Sequence, residues 1–289
     1  MANESSLSPG TGERVGERGD GIKPWMIYGA NGYTGELAAR EAARRGLKPI
    51  LAGRNAATIG ALASELGLQH RAFGLDDPAA LRKGIEGVAA VLHCAGPFVR
   101  TSRPMVEACL DTRASYLDIT GEISVFEKVL ALSGKAEKAG IALLPGVGFD
   151  VVPSDCLAAR LAGALPDATE LTLAFASTRG AISRGTLKTM IESLPATGAL
   201  RRDGKIVPVP IAFDSRQIEF PGGSRWAMTI PWGDVSTAWW STGIPNIRVY
   251  TGTPPRQIRR MRRIAPFVPL LAWKPIKRFL QRQVDRRVT

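Results

Sequence analysis

The sequence has few of the residues that build metal sites and disulfide frameworks. It contains three cysteines, at positions 94, 109 and 156, and only two histidines. The cysteines are too far apart in the chain to form a metal-binding pair, and their spacing does not suggest a disulfide framework. We therefore predict that no metal is bound and that the protein works in a reducing, intracellular compartment.

Long apolar runs and targeting signals are also missing. No uninterrupted apolar stretch approaches the roughly 18 residues of a membrane span. The first 20 residues are polar and rich in glycine, and they lack the apolar core of a secretory signal. These features predict a disordered leader over residues 1–20 and a cytoplasmic protein that is not integral to a membrane.

The net charge of +12 is concentrated at one end of the chain. Residues 256–289 carry eleven Lys or Arg residues and a single acid, so the rest of the chain is almost neutral. No recognition motif accompanies the charge, and we predict no nucleic-acid binding. Arginine clusters flank an apolar segment that contains Trp273. This pattern favours an anionic membrane surface, such as the inner face of the plasma membrane, or an acidic partner, with simple solvation as the alternative.

Residues 21–150 alternate short apolar runs with helix-like stretches. Six runs are typical of strands: WMIYGA, PILAGR, HRAFG, VAAVLHCAG, SYLDIT and IALLPG. Helical spacing predicts helices over Glu36–Arg45, Ala57–Leu66, Met105–Leu110 and Val125–Lys138. Strict alternation of strand and helix implies right-handed crossovers and a parallel sheet. We predict an α/β domain with a Rossmann-type, doubly wound parallel sheet.

The pattern changes after Pro145. Pro153 is placed to open a helix that runs to about Leu165, and Thr186–Leu194 is a second predicted helix. ELTLAFAS and NIRVYTG have the composition of strands, with stretches bounded by glycine and proline between them. We predict a smaller α+β domain with a mixed sheet over residues 151–255, followed by the basic tail over residues 256–289.

Three glycines spaced three residues apart follow the first strand in the motif YGANGYTG. We expect Gly29 to adopt an unusual φ, Gly32 to let a ligand approach the backbone, and Gly35 to let the next helix pack closely. The helix start offers free N–H groups to a pyrophosphate, and a packing turn without a ligand is the alternative. The residues between the glycines complete this predicted cofactor loop: Asn31, Tyr33 and Thr34.

The second strand ends in Gly53, Arg54 and Asn55, where an NAD-binding domain usually has an acid. An acid would repel a 2′-phosphate, whereas the planar guanidinium of Arg54 is able to bind that phosphate and stack on adenine. The sequence therefore favours NADP over NAD as the cofactor.

Five motifs occur in order between Trp25 and Asp155: YGANGYTG, LAGRN, HCAGPF, YLDITGE and GVGFDVVPSD. Together they resemble the saccharopine dehydrogenase-like oxidoreductases, in particular the branch of trans-acting enoyl reductases. The resemblance implies an NADP-binding Rossmann domain, a mixed-sheet domain, and reduction in trans of a double bond in a lipid precursor made by a polyketide synthase. It also implies cofactor contacts, by position, from Gly29, Gly32, Gly35 and Arg54, with Ala95, Gly96 and Pro97 beside the nicotinamide ribose.

The carboxyl ends of the strands should bring AGPF, DITGE and GFDVVPSD around one crevice. Reduction of an activated alkene needs positioning and a group that donates a proton or stabilises an enolate. We select Asp118 and Asp150 as catalytic-site candidates that line the crevice, without assigning either a proton-transfer role. Capping of the following helix by Ser154 or Asp155 and a helix-dipole role for Glu122 are structural interpretations of the other polar residues.

His93 stands where the family more often has asparagine or a small residue. We expect a hydrogen-bonded core histidine here, because that role is commoner at the end of an apolar strand than acid–base chemistry. The cysteines are expected to behave as small apolar core residues. Three tryptophans are expected to pack the second sheet, with an apolar substrate channel as the alternative: Trp232, Trp239 and Trp240.

Three functions stay open on the sequence alone. The leading one is an NADP-dependent reductase of an enoyl lipid intermediate, free or bound to a carrier. A saccharopine-type imine reductase is the second, and its carboxylate-rich substrate would call for convergent arginines such as Arg179, Arg184 and Arg225. The third is a membrane-associated NADP-binding scaffold without turnover, because members of the family usually continue well beyond the length of this chain.

Overall fold

The computed structural model describes residues 23–176 and 197–267. Three sequence predictions lie outside these residues and are not addressed by it: the leader over residues 1–20, the helix Thr186–Leu194, and the tail beyond residue 267. Within the described ranges, no helix has both the length and the apolar character needed to cross a bilayer.

Six parallel strands form the first sheet: β1 (Trp25–Tyr28), β2 (Ile50–Gly53), β3 (His70–Ala72), β4 (Ala90–His93), β5 (Ser115–Asp118) and β6 (Leu143–Leu144). Their order is β3-β2-β1-β4-β5-β6, and every neighbouring pair is parallel. The sheet is therefore doubly wound, as predicted. The order reverses between β1 and β4, so the loops that follow these two strands border a crevice at the carboxyl edge.

Six helices connect these strands: α1 (Tyr33–Arg44), α2 (Ala56–Leu66), α3 (Pro78–Ile85), α4 (Phe98–Thr112), α5 (Ile123–Leu130) and α6 (Ser133–Ala139). Helix α3 was not predicted, although the Asp77 side chain caps it by accepting from two backbone N–H groups. Helix α4 begins at Phe98, earlier than the predicted start at Met105. The prediction began too late because Pro104, which usually breaks a helix, lies in the interior of α4. The predicted helix Val125–Lys138 is split into α5 and α6.

Both faces of the sheet are covered, which explains why its strands are apolar throughout. Met26 and Tyr28 of β1 point into one core, with Met105 of α4. Ile27, between them, points to the opposite core and meets Ile59 of α2. Alternate residues of a strand face opposite sides, so a strand buried on both sides has no polar period.

The second unit is built from α7 (Val152–Ala164), β7 (Glu170–Phe175), β8 (Gly198–Arg202), β9 (Lys205–Val209), β10 (Ser215–Phe220), β11 (Gly223–Thr229), α8 (Asp234–Thr242), β12 (Asn246–Gly252) and α9 (Pro255–Ile264). Strand β12 is central, because it pairs in parallel with β7 and antiparallel with β11 and β8. The sheet is therefore mixed, as predicted. Helices α7 and α8 pack against each other and on this sheet, around Ala158, Val235 and Ile247.

Candidate active site

The loop after β1 lies directly against the loop after β4. Gly29 has a φ of +83°, which L side chains rarely adopt, and its N–H donates to the Ala52 carbonyl over 2.7 Å. A methyl group at Gly29 would lie 2.9 Å from the Cβ atom of Ala95. The structure thus brings together the two loops that were predicted to hold the two ends of one dinucleotide.

The other two glycines of the motif have different surroundings. A methyl group at Gly35 would lie only 2.2 Å from the Gly29 carbonyl oxygen, so α1 approaches the loop only because Gly35 has no side chain. At Gly32 a methyl group would meet nothing but that same oxygen, at 3.3 Å. The backbone at Gly32 is extended, with a φ of −85°. Gly32 is therefore open on the side where a ligand would lie.

The N-terminus of α1 is suited to an anion. No side chain caps this helix, so its first N–H groups stay available, and the helix dipole places partial positive charge there. Tyr33 and Thr34 are exposed beside them. The Asn31 amide reaches the Thr58 hydroxyl at 3.4 Å, which ties the loop to the start of α2. The N–H groups of the first turn of α1 are therefore available to a pyrophosphate.

Arg54 follows β2 and is exposed. In the part of the chain that the structure describes, its guanidinium forms no hydrogen bond or ion pair. The next residue, Asn55, is occupied as the cap of α2, since its side chain accepts from the Thr58 N–H over 3.2 Å. An unengaged guanidinium therefore stands where a 2′-phosphate would lie, and the residues present fit NADP.

The loop after β4 is held by a hydroxyl. Thr101, in the first turn of α4, donates to the Ala95 carbonyl over 2.6 Å. Gly96 is exposed, and Pro97 precedes the first residue of α4. Ala95, Gly96 and Pro97 thus form a fixed border of the crevice between β1 and β4.

His93 is a core residue whose side chain is 0% exposed. Among the residues that the structure describes, neither of its ring nitrogens has a hydrogen-bond partner. Tyr28, Phe98 and Tyr116 surround the imidazole, with ring centroids between 5.5 and 6.1 Å away. The expected hydrogen bond is therefore wrong, and burial lowers the pKa of His93 to about 3. A neutral histidine enclosed in this way does not serve as an acid or base at the crevice.

This burial predicts a pH-dependent stability. Below pH 6.5 the unfolded chain protonates His93 while the folded chain does not, so stability falls as the pH decreases from 6.5 toward 3. Between pH 7 and pH 5 the contribution is about 2 kcal/mol. In urea unfolding, the free energy of unfolding of the wild type should therefore fall by about 2 kcal/mol more between pH 7 and pH 5 than that of His93→Leu. His70→Gln removes the other histidine, which is exposed, and should behave like the wild type.

Asp118 lies at the end of β5 and is fully buried. Its Oδ1 atom accepts from the N–H groups of Thr120 (3.0 Å) and Gly146 (2.8 Å), and its Oδ2 atom accepts from the Tyr116 hydroxyl (2.6 Å). Burial raises the pKa of this carboxyl, although the three donors oppose the rise. Asp118 thus joins β5, the segment after it and the segment after β6.

Asp150 differs from Asp118 in its exposure. The residue as a whole is exposed, and its carboxylate rests against the segment after β5, where a methyl group at Gly121 would lie 2.8 Å from Oδ2. Desolvation of the carboxyl and the nearby charge of Glu122 raise the pKa of Asp150. Among the described residues, one carboxylate oxygen of Glu122 is buried without a partner. The two predicted acids both lie against the segment after β5, but in different environments.

The two units meet where three helices begin. The residues that precede α5, α7 and α8 are Glu122, Val151 and Gly233. A methyl group at Gly233 would lie 2.6 Å from a methyl of Val151 and 3.3 Å from the Gly121 carbonyl. Three positive helix ends are thus close together, which explains why several acids gather there.

Sequence reasoning missed one acid of this junction. Asp234 opens α8 and is 0% exposed. Burial raises its pKa to about 6 against the opposing effect of the Ser154 hydroxyl, and the charges of Asp155 and Asp150 add to the rise. The Trp232 indole donates to the Asp150 carbonyl over 2.6 Å and packs on Phe175. The signal in the sequence that points to Asp234 is a glycine followed by an acid, Gly233 and Asp234, a pattern typical of a helix start.

Several structural interpretations from the sequence need correction. Helix α7 begins at Val152, so neither Ser154 nor Asp155 is its cap; Ser154 instead donates to the Val151 carbonyl. Trp239 packs on the second core, whereas Trp240 is 64% exposed. Cys156 is exposed, unlike Cys94 and Cys109. Arg225 lies in β11 beside the β10–β11 turn, away from the crevice, and Arg179 and Arg184 fall outside the described residues.

The fold and the site together define a dinucleotide-binding domain of the Rossmann type. Residues 25–144 match the family model described as the saccharopine dehydrogenase NADP-binding domain. That part of the chain is similar to this family, which confirms the resemblance read from the motifs. NADP is the cofactor of the family, in agreement with the unengaged Arg54.

Two named relatives extend the comparison. A protein of Mycobacterium tuberculosis, provisionally named a trans-acting enoyl reductase, is 33% identical over 183 residues, which cover 58% of this chain and 43% of the relative. A human saccharopine dehydrogenase-like oxidoreductase is 30% identical over 152 residues, which cover 45% of this chain and 35% of the relative. The chain therefore spans less than half the length of these relatives.

A solved structure shows the same fold. The apo form of saccharopine dehydrogenase (L-glutamate forming) from Saccharomyces cerevisiae matches with a TM-score of 0.61 at 14% identity. The match covers 84% of this chain and 57% of the yeast chain. At this identity the likeness concerns the fold alone.

Proposed function

We propose that the protein is an NADP-dependent reductase of an activated carbon–carbon double bond in a lipid or polyketide precursor. The observation that carries the proposal is the contact between the glycine loop and the Ala95 loop. The Asp150 carboxyl, whose pKa is raised, lies against the segment that follows the next strand of the sheet, β5. Relatives named trans-acting enoyl reductases support the choice of an enoyl substrate.

The residues of the chain divide into binding and reacting groups. The backbone N–H groups at the start of α1 bind the pyrophosphate, and Arg54 binds the 2′-phosphate. NADPH, when bound, supplies the hydride. Asp150 is the group proposed to donate a proton to the carbon next to the one that receives the hydride. Its raised pKa favours the protonated form more than an ordinary carboxyl does, and its exposure allows substrate to reach it.

Asp118 is less suited to that step. Its carboxylate is enclosed and already accepts three hydrogen bonds, so it has no access to a substrate carbon. We propose instead that Asp118 positions the segment after β5, which borders the reacting end of the site. A carrier-bound substrate delivered by a polyketide synthase fits a reductase that acts in trans, and this partner is part of the proposal.

Turnover assays separate the candidate functions. We expect the purified chain to oxidise NADPH with an enoyl thioester and not with an amino acid and 2-oxo acid pair. Asp150→Asn should lower kcat at least tenfold with unchanged NADPH affinity, while Asp111→Asn, an exposed acid paired with Arg82, should keep both. Oxidation only with the amine and oxo acid would favour the imine reductase. NADPH binding without turnover on either panel would favour a scaffold.

The 2′-phosphate contact gives its own prediction. Arg54→Ala should weaken NADPH binding about tenfold to a hundredfold, because a charge-assisted pair with phosphate is lost. NADH binding should change less than about twofold, because NADH lacks that phosphate. Fluorescence titration of both nucleotides measures the difference. Arg45→Ala, which removes an exposed arginine paired with Glu41, is the control. Unchanged NADPH affinity in Arg54→Ala would contradict the assignment.

A further inference from the structure

Helix α9 carries five arginines and no acid. One side of it is docked on the second sheet: Ile258 is buried and packs with Ala212 and Met228. Arg262 reinforces this side, because its Nε donates to the Ala212 carbonyl and its Nη2 to the Ser215 hydroxyl, both over 2.9 Å. The orientation of α9 on the protein is therefore fixed.

The other four arginines form one outward surface, which we term the arginine face: Arg256, Arg259, Arg260 and Arg263. At about 100° per residue they occupy a continuous sector on the side opposite Ile258. All four are exposed, and within the described ranges none forms a hydrogen bond or an ion pair. The arginine face extends over about 10 Å along the helix axis.

Apolar side chains lie at the end of the arginine face. Ile264, the last residue of α9, is 40% exposed, and Phe267, in the short 3₁₀ turn that follows, is 61% exposed. Guanidinium groups pair with phosphate in a planar, two-point geometry, and exposed apolar groups beside them enter the boundary between headgroups and acyl chains. Cations and apolar groups on one surface are the combination that peripheral membrane contact requires.

We propose that the arginine face binds an anionic lipid membrane, with Ile264 and Phe267 entering the headgroup region. The apolar side of α9 is already used for docking on the second sheet, so the helix does not insert, and phosphate attraction supplies most of the affinity. The contact is therefore steeply dependent on salt. This inference is independent of the proposed reductase activity, because it concerns a surface of the second unit.

Vesicle sedimentation of the full chain tests the proposal. We expect binding to phosphatidylcholine vesicles that contain phosphatidylglycerol, weak binding to phosphatidylcholine alone, and release as salt increases. Replacing the arginine face with glutamine (R256Q, R259Q, R260Q and R263Q) should reduce partition into anionic vesicles at least tenfold. The control carries the same change in net charge on the first unit (R44Q, R45Q, R82Q and R103Q), where each arginine pairs with an acid. It should stay within about twofold of the wild type.

Three results would overturn the proposal. The first is an equal loss of vesicle partition in both quadruple variants, which would mean that binding depends on the net charge of the protein and not on the arginine face. The second is equal binding of the wild type to neutral and anionic vesicles. The third is no vesicle binding by the wild type at low salt, and an acidic protein would then be the occupant that the arginine face fits. Circular dichroism of each variant establishes that the fold is kept.

Discussion

Gly32→Val is expected to abolish NADPH binding while the protein stays folded. A Cβ atom at Gly32 would lie 3.3 Å from the Gly29 carbonyl oxygen, a tight contact that a shift of a few tenths of an ångström relieves. The φ of −85° suits a branched side chain. The isopropyl group would instead occupy the space where the pyrophosphate approaches the backbone. We expect affinity to fall at least about a hundredfold, since several phosphate hydrogen bonds of about 1.5–3 kcal/mol each are lost.

Calorimetric titration measures the loss of NADPH affinity, and thermal unfolding of the apo protein tests whether the fold is kept. Gly134→Val is a matched control, because that glycine lies in α6 with open space around it. Gly35→Val should fail in the other way, by unfolding, because its Cβ would collide with the Gly29 carbonyl. If Gly32→Val keeps wild-type affinity, the motif is a packing turn and the cofactor lies elsewhere.

The contrast among these glycines explains why this part of the site was predictable. A residue that must adopt positive φ, as Gly29 does, or that must allow a close backbone approach, as Gly35 does, leaves a direct mark on the sequence. The strands were predictable for a similar reason, because burial on both faces removes polar residues from them. Local requirements of this kind are readable without any knowledge of the tertiary fold.

The junction between the two units was not predictable in the same way. Asp234 follows Asp150 by more than 80 positions, and no local pattern states that α5, α7 and α8 begin beside one another. The absence of a hydrogen bond at His93 is also a property of its packed neighbours rather than of its strand. Pro104 misled the prediction in the opposite way. A proline is a strong local signal that a helix is broken, but α4 continues through it because of its packing.

Asp118→Ala should be strongly destabilising. It would leave the N–H groups of Thr120 and Gly146 and the hydroxyl of Tyr116 without an acceptor in a buried position. Unsatisfied buried groups cost about 1–3 kcal/mol each, so we expect the free energy of unfolding to fall by about 4 kcal/mol. Urea unfolding at pH 7 measures the loss.

Asp118→Asn distinguishes geometry from charge at the same position. The asparagine oxygen keeps both backbone N–H groups, because both bond to the Oδ1 atom in the wild type. The new amide N–H is able to donate to the Tyr116 oxygen, but the Tyr116 hydroxyl proton loses its acceptor. We therefore expect a loss of about 1–3 kcal/mol, smaller than that of the alanine variant, and turnover close to wild type. Tyr116→Phe, combined with each variant, gives the coupling energy of the pair. If Asp118→Asn folds normally but loses turnover, the negative charge itself takes part in catalysis. The positioning role assigned to Asp118 would then be wrong.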